Sequence, residues 1–244
     1  MNHRFSLQGL VATILLLIGG ASALTAAECR LIAWSDDIPE LRVRAQQGEL
    51  ALTPVSNALS APWRSSNERP VEFYRPVPPT PANPDGREIL ARITLPPESQ
   101  RVVLIISRRP AQGGDTPYML AALPDDDAGA KAGHARIYNF SSKTIAWSLG
   151  GTEPVSLASK SSGLAPYPKS HRSQRLRLAV HEGEAPSWRV AMNMSIATPP
   201  NARLLLFVLD RPFDPDQPTA PTTQARQIYE QVEPLAPTAP PTGG

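Results

Sequence analysis

Arg101-Val-Val-Leu-Ile-Ile-Ser-Arg-Arg-Pro110 and Arg203-Leu-Leu-Leu-Phe-Val-Leu-Asp-Arg-Pro212 are two versions of one segment. Each opens on an arginine nine residues before a closing proline, and each follows a double proline, Pro96-Pro97 and Pro199-Pro200. A strand with one wet face alternates apolar with polar, whereas consecutive apolar residues mean that both faces are covered. The runs 102–106 and 204–209 therefore predict central strands with two dry sides.

Working outward, the duplication extends through most of the chain. Arg30-Leu-Ile-Ala-Trp-Ser35 resembles Arg136-Ile-Tyr-Asn-Phe-Ser141, and Leu59-Ser-Ala-Pro-Trp63 resembles Leu164-Ala-Pro-Tyr167. The offset drifts only from 106 (30 to 136) to 102 (101 to 203), as small changes in loop length produce. Ile89, Ala91 and Ile93 match Met192, Met194 and Ile196 at every second residue, the period of a half-buried strand. Each copy yields about seven short strands. They fall near 29–34, 41–45, 49–53, 71–75, 88–95, 101–107 and 117–123, then near 135–140, 144–149, 154–158, 175–181, 188–196, 203–209 and 224–232. The segment 223–232 also has a threonine N-cap and good helix formers, but its repeat partner at 118–123 favours strand. The expected fold class is all-β, two tandem Ig-like β-sandwich domains at 28–124 and 134–232, joined by a linker at 125–133.

Composition agrees. The 244 residues include 28 prolines, one cysteine, 41% hydrophobic and 19% charged residues, which excludes a coiled coil, a collagen and a disulfide scaffold. Prolines concentrate in a loop at 76–86 and in a tail at 233–244 expected to be disordered. At the other end, Arg4, the apolar run 10–18 and the small residues after it form the three parts of a signal peptide, 1–27, cleaved after Ala23 or Ala27. This nine-residue run is too short for a comfortable span. Cys29 lacks the preceding small residue of a lipidation signal and is expected as a small buried hydrophobe at the start of the first strand. The expected location is periplasmic or secreted, with no transmembrane span after cleavage.

Charge is divided unevenly. Residues 28–128 carry 11 basic and 14 acidic side chains, residues 129–212 carry 11 and 4, and the tail from 213 carries 1 and 4. The excess is densest at Lys169, His171, Arg172, Arg175 and Arg177, either a solvated strand face or an attractant for anionic polymers. Nucleic acid is not expected, since no binding motif accompanies the charge. Trp63 and Tyr167 occupy matching proline-containing loops, as plugs over the sandwich ends or as flat platforms for a sugar ring. Trp34 and Trp147 belong to the core by alternation, and Trp188, at the start of a strand, is assigned to neither group.

Catalytic patterns are missing. Gly-x-Ser-x-Gly, a glycine-rich phosphate loop and paired His or Cys ligands do not occur, and Ser159-Lys-Ser-Ser162 matches no known arrangement. Asp125-Asp126-Asp127 lacks the spaced oxygens of a calcium loop and reads as solvated linker. Asn139-Phe-Ser141 and Asn193-Met-Ser195 match glycosylation acceptors but fall inside expected strands. No catalytic residue, metal or cofactor is therefore assigned.

The pattern Arg136-Ile-Tyr-Asn-Phe-Ser141, a strand pair, a proline-closed loop and the apolar strand after Arg203 resembles a group of uncharacterised exported bacterial β-sandwich proteins. The resemblance covers 135–232 best, extends to 29–123 through the repeat, and implies fold and export without a function. The resulting expectation is a non-enzymatic protein-interaction or structural module of the cell envelope, whose partner is an envelope protein or a surface glycan. A glycan- or anionic-polymer-binding module and a hydrolase with a loop-borne site are the alternatives.

Overall fold

The computed structural model describes residues 26–34, 37–67, 70–97, 99–109, 116–125, 132–168, 172–183, 187–211 and 222–232. The signal segment through residue 25, residues 126–131 of the expected linker, the tail from 233, and Lys169 and His171 lie outside the described residues. Within them the structure is all-β, and the two copies have the same topology strand for strand.

The first copy comprises β1 (Glu28–Ala33), β2 (Leu41–Ala45), β3 (Gly48–Leu52), β4 (Trp63–Arg64), β5 (Val71–Pro76), β6 (Arg87–Ile93), β7 (Arg101–Arg108) and β8 (Tyr118–Pro124). The second comprises β9 (His134–Asn139), β10 (Ile145–Leu149), β11 (Val155–Leu157), β12 (Ser161–Pro166), β13 (Ser173–His181), β14 (Trp188–Ala197), β15 (Ala202–Asp210) and β16 (Thr223–Gln231). Sheets β4-β1-β7-β8 and β3-β2-β5-β6 correspond to β12-β9-β15-β16 and β11-β10-β13-β14. In each copy the first strand runs parallel to the seventh, and every other pairing is antiparallel.

Among the described residues each copy has eight strands rather than about seven. The additional strands, β4 and β12, fall where the sequence places proline-containing loops. β4 is two residues long, and β12 contains serine, glycine and proline, which lack the branched or aromatic side chains that mark a strand. The segment at its C-terminal end is strand β16, not helix, because it pairs antiparallel with β15 along nine residues.

The four sheets form layers, and three apolar clusters join them. One cluster lies inside the first sandwich-like unit and includes Leu31, Val43, Phe73, Leu104 and Ile106. A second lies inside the other unit and includes Ile137, Trp147, Leu178, Leu204 and Leu206. The third joins the two units back to back: Ile32, Val103 and Ile105 meet Tyr138, Leu205, Phe207 and Ile228. The two dry sides of β7 and β15 are thereby explained. Val102, Leu104 and Ile106 face their own unit while Val103 and Ile105 face the other, and β15 divides its residues in the same way. Tyr138 and Phe207 stack at 5.2 Å with rings 7° from parallel. Each such fully buried side chain contributes about 1.5–3 kcal/mol of transfer free energy.

Charge is buried at the rim of this third core. Asp125 is 1% exposed, and Arg136 and Arg203 are 3% exposed. Its carboxylate lies 3.4 Å from Arg136 Nε, 3.3 Å from Arg203 Nη2 and 3.4 Å from Arg101 Nη2, and accepts a 2.6 Å hydrogen bond from the Tyr138 hydroxyl. Glu230 pairs with Arg203 at 2.6 Å and also with Arg30. Burial first, then the Asp125 charge, pushes the Tyr138 hydroxyl well above its usual range. Asp125 is thus no part of a solvated acidic run. It joins β8 of the first unit to β9 and β15 of the second.

Candidate functional site

The residues singled out by sequence do not converge on one place. Trp63 is 3% exposed, edge-on to Phe73 at 6.0 Å with rings at 82°. Its ring is part of the first core and has no face open to a sugar. β4 pairs with β1 at Cys29, which puts the indole inward. Tyr167 packs half-buried against the second core, and burial pushes its hydroxyl up to about 12. Cys29 is fully buried in β1, and desolvation raises its thiol to about 12. Arg172, Arg175 and Arg177 are exposed. Arg175 Nε donates to Asn193 Oδ1 at 2.6 Å, and among the described residues the Arg177 guanidinium has no hydrogen bond or ion pair.

Because the inner sheets are consumed by the stack, the free sheet faces are the outer sides of β3-β2-β5-β6 and β11-β10-β13-β14. The first is a lattice of paired charges. Arg42 pairs with Glu49, and Arg92 pairs with Glu72 at 2.8 Å, while Arg44, Glu72, Tyr74 and Arg87 line a cleft of about 230 Å³. Tyr74 donates its hydroxyl to Glu49 at 2.6 Å, and the Arg87 guanidinium lies 4.7 Å from the Tyr74 ring centre. The bonds from Tyr74 and then Arg42 hold the Glu49 carboxyl below its usual range, while burial and then that same bond push Tyr74 up to about 12.

The other outer face is different in kind. Ala146 and Ser148 of β10, Ser156 of β11 and Ala179 of β13 form its floor, and small side chains there leave a trough of about 740 Å³. One wall is Trp188 and Val190 of β14, 45% and 64% exposed. The opposite wall is the β10–β11 turn with Gly151, Thr152 and Pro154. Arg177 and Asn193 close one end.

A bulge creates the apolar wall. The period of Met192, Met194 and Ile196 would place Val190 and Trp188 inward. Leu178 pairs with Met192 but Ala179 pairs with Val190, so Ala191 is an extra residue that reverses the alternation before it. Ala191 packs toward the core, and Val190 and Trp188 turn outward. The Trp188 ring is held edge-on by His181 at 5.2 Å. Nearby Glu182 is engaged: against the desolvation that raises it, hydrogen bonds from Thr222 and Arg189 hold its carboxyl below the usual range.

Chemically, the trough supplies an aromatic face, hydroxyl and amide hydrogen-bonding groups and one permanent cation. No histidine, cysteine or carboxylate is among its described lining residues, so the hydroxyls of Ser148 and Ser156 face it without a base beside them. Among the described residues no cluster of three His, Cys, Asp or Glu side chains is arranged to hold a metal, and no helix is long and apolar enough to cross a membrane. Ser159 and Ser161 donate to the carbonyls of Ser141 and Ala158 at 2.6 Å, as turn-forming residues do. Asn139 is fully buried and donates to the carbonyls of Lys143, Leu157 and Ala158. Trp188 and Val190 are the site residues that sequence reasoning left unassigned, and the bulge that turns them out is set by pairing with β13. Comparison with known protein families finds no matching family model, and comparison with curated proteins finds no significant match.

Proposed function

We propose that this chain is a non-enzymatic, exported binding module of the cell envelope, built from two Ig-like sandwiches, and that it binds through the outer face of β11-β10-β13-β14. One observation carries the reading: of two topologically equivalent outer faces, one is crossed by its own ion pairs and keeps only a cleft of about 230 Å³, and the other keeps a trough of about 740 Å³ with an exposed tryptophan and an arginine that has no partner among the described residues. Large aromatic residues and arginine are the side chains that most often anchor a bound partner. The leader-like segment at the N-terminus supports export.

The test is site-specific photocrosslinking in cells of the source organism, with a benzophenone side chain at position 190 or at position 51 on the other outer face. Adducts in the envelope fraction from position 190 alone are expected. Equal labelling from both positions, or none from 190, overturns the reading.

A further inference from the structure

Resting on that reading of the face, we infer that the trough is built for a segment of acidic polysaccharide, a chain of pyranose rings bearing carboxylates. The argument begins with charge. Arg175 and Arg177 point from β13 to the side of the trough, Arg172 is exposed just before that strand, and no carboxylate is among the described lining residues. Among the described residues, Glu153 on the β10–β11 turn is the acidic residue at the rim, and Glu182 is held by Thr222 and Arg189. The unit that carries the trough has the basic excess, 11 basic against 4 acidic residues over 129–212. An unpaired guanidinium presents a planar fork that matches a carboxylate with two parallel hydrogen bonds.

Shape selects a sugar over other anions. A pyranose has an apolar face of C–H groups and a rim of hydroxyls. Trp188 offers an exposed, flat apolar ring in T-shaped contact with His181, which reduces the freedom it must lose on stacking. Ser148 and Ser156 on the floor, with Thr152 and Asn193 at the edges, supply hydroxyl and amide groups for a ring's hydroxyls. The floor itself is two alanines and two serines, shallow enough to pass a continuous chain rather than enclose a small molecule. The apolar wall of one tryptophan and one valine is small beside the roughly 800 Å² per partner of a standard protein interface.

Titration of the full exported chain with polygalacturonate, alginate and hyaluronan, followed by tryptophan fluorescence and calorimetry, tests the assignment. Binding to at least one of these is expected. It should weaken at least tenfold in Trp188→Ala, at least tenfold in Arg177→Gln and less than twofold in Arg92→Gln on the other face. Methyl-esterifying the carboxylates of the bound polymer, which keeps its rings, should weaken binding at least tenfold. Circular dichroism and melting of Trp188→Ala show whether that variant folds, and Trp188→Phe, which keeps a flat ring, should retain most of the affinity. Equal binding of the esterified polymer overturns the acidic assignment and leaves the proposed face intact. Binding that depends on Arg177 but not on Trp188, or that is matched by duplex DNA, overturns the glycan assignment in favour of charge attraction alone. No binding to any of the three polymers overturns the inference, while photocrosslinking at position 190 separately decides whether the face binds a protein.

Discussion

The two outer sheets share strand order and pairing direction, and they finish their surfaces in opposite ways. On the outer side of β3-β2-β5-β6 Arg42 faces Glu49 and Arg92 faces Glu72 across the strands, and a tyrosine hydroxyl joins Glu49. On β11-β10-β13-β14 the corresponding central strand, β10, turns alanine and serine outward where β2 turns Arg42 and Arg44. Ion pairs with such exposure contribute little to stability, so the lattice is not required to hold the sheet together. Its effect is to saturate hydrogen-bonding groups and cover the strands. A duplicated fold can therefore keep both cores and both topologies while one face is largely covered by its own charges and the other keeps a trough about three times larger than the cleft on the first. Site chemistry is separable from fold at the level of a few outward positions.

The comparison presupposes that the inner faces are truly closed, and Asp125 is where to break that. Asp125→Ala leaves Arg136 and Arg203 buried without their shared carboxylate, which should cost about 3–5 kcal/mol of unfolding free energy in urea or guanidinium melts. A loss below about 1 kcal/mol would mean that both arginines reach water. The two units would then not be sealed back to back, and four faces rather than two would be available.

The next effect falls on the wall of the trough. Gly150 adopts φ +66° at the start of the β10–β11 turn, and a Cβ there would lie 2.5 Å from Gln174 Oε1 and 2.6 Å from Pro168 Cγ. Gly150→Ala should destabilise by about 1–3 kcal/mol, as for a non-glycine residue forced into the left-handed region. In the corresponding β2–β3 turn, Gly48 has open space at its Cβ position, so that turn is shaped by backbone angle alone. A neutral Gly150→Ala would show that the second turn is no better fixed than the first.

Much of this architecture is legible in the residues, for reasons that also define what is not. Alternation and the double-sided runs at 102–106 and 204–209 are local and specify the central strands, because each residue's face follows from its parity. What covers the second side is not local. Arg30, Arg101, Arg136 and Arg203 stand out as repeated marks at the edges of apolar runs, yet their partners Asp125 and Glu230 lie up to 200 residues away. The exposed tryptophan was hidden for a different reason. A single extra residue at Ala191 reverses the parity of everything before it on β14, and nothing in Arg189-Val190-Ala191 marks the bulge. Trp63 stayed open between two readings for another reason: proline and serine around it resemble a surface loop, while two residues of strand turn the ring into the core.

A smaller effect reports on the closed face. Tyr74→Phe removes the hydroxyl donated to Glu49 and should lower stability by about 1 kcal/mol at neutral pH. In the folded chain Tyr74 holds its proton up to about 12, against 10.0 for the ordinary side chain. The unfolded chain therefore releases that proton first. The associated stability is complete below pH 10 and is lost as pH rises toward 12. Tyr138 and Tyr167 shift in the same direction, so the quantity to measure is the difference between wild type and Tyr74→Phe. That difference should shrink between pH 8 and pH 11.5; a constant difference would detach Tyr74 from the lattice.

The smallest expected effect on stability is the most direct test of the comparison. Ala146 and Ser156 are opposed across β10 and β11 on the floor of the trough. Ala146→Arg with Ser156→Glu would build there a cross-strand ion pair of the kind that closes the first face. Both side chains face outward, so the double variant should unfold within about 0.5 kcal/mol of wild type. It should nevertheless lose photocrosslinking from position 190 and any polysaccharide binding by the trough, because the floor is filled while Trp188, Val190 and Arg177 remain. Retained binding would mean that the small residues of the floor are incidental and that the difference between the two faces lies in Trp188 alone. Trp188→Ala, measured beside it, separates those two accounts, since it removes the wall and leaves the floor open.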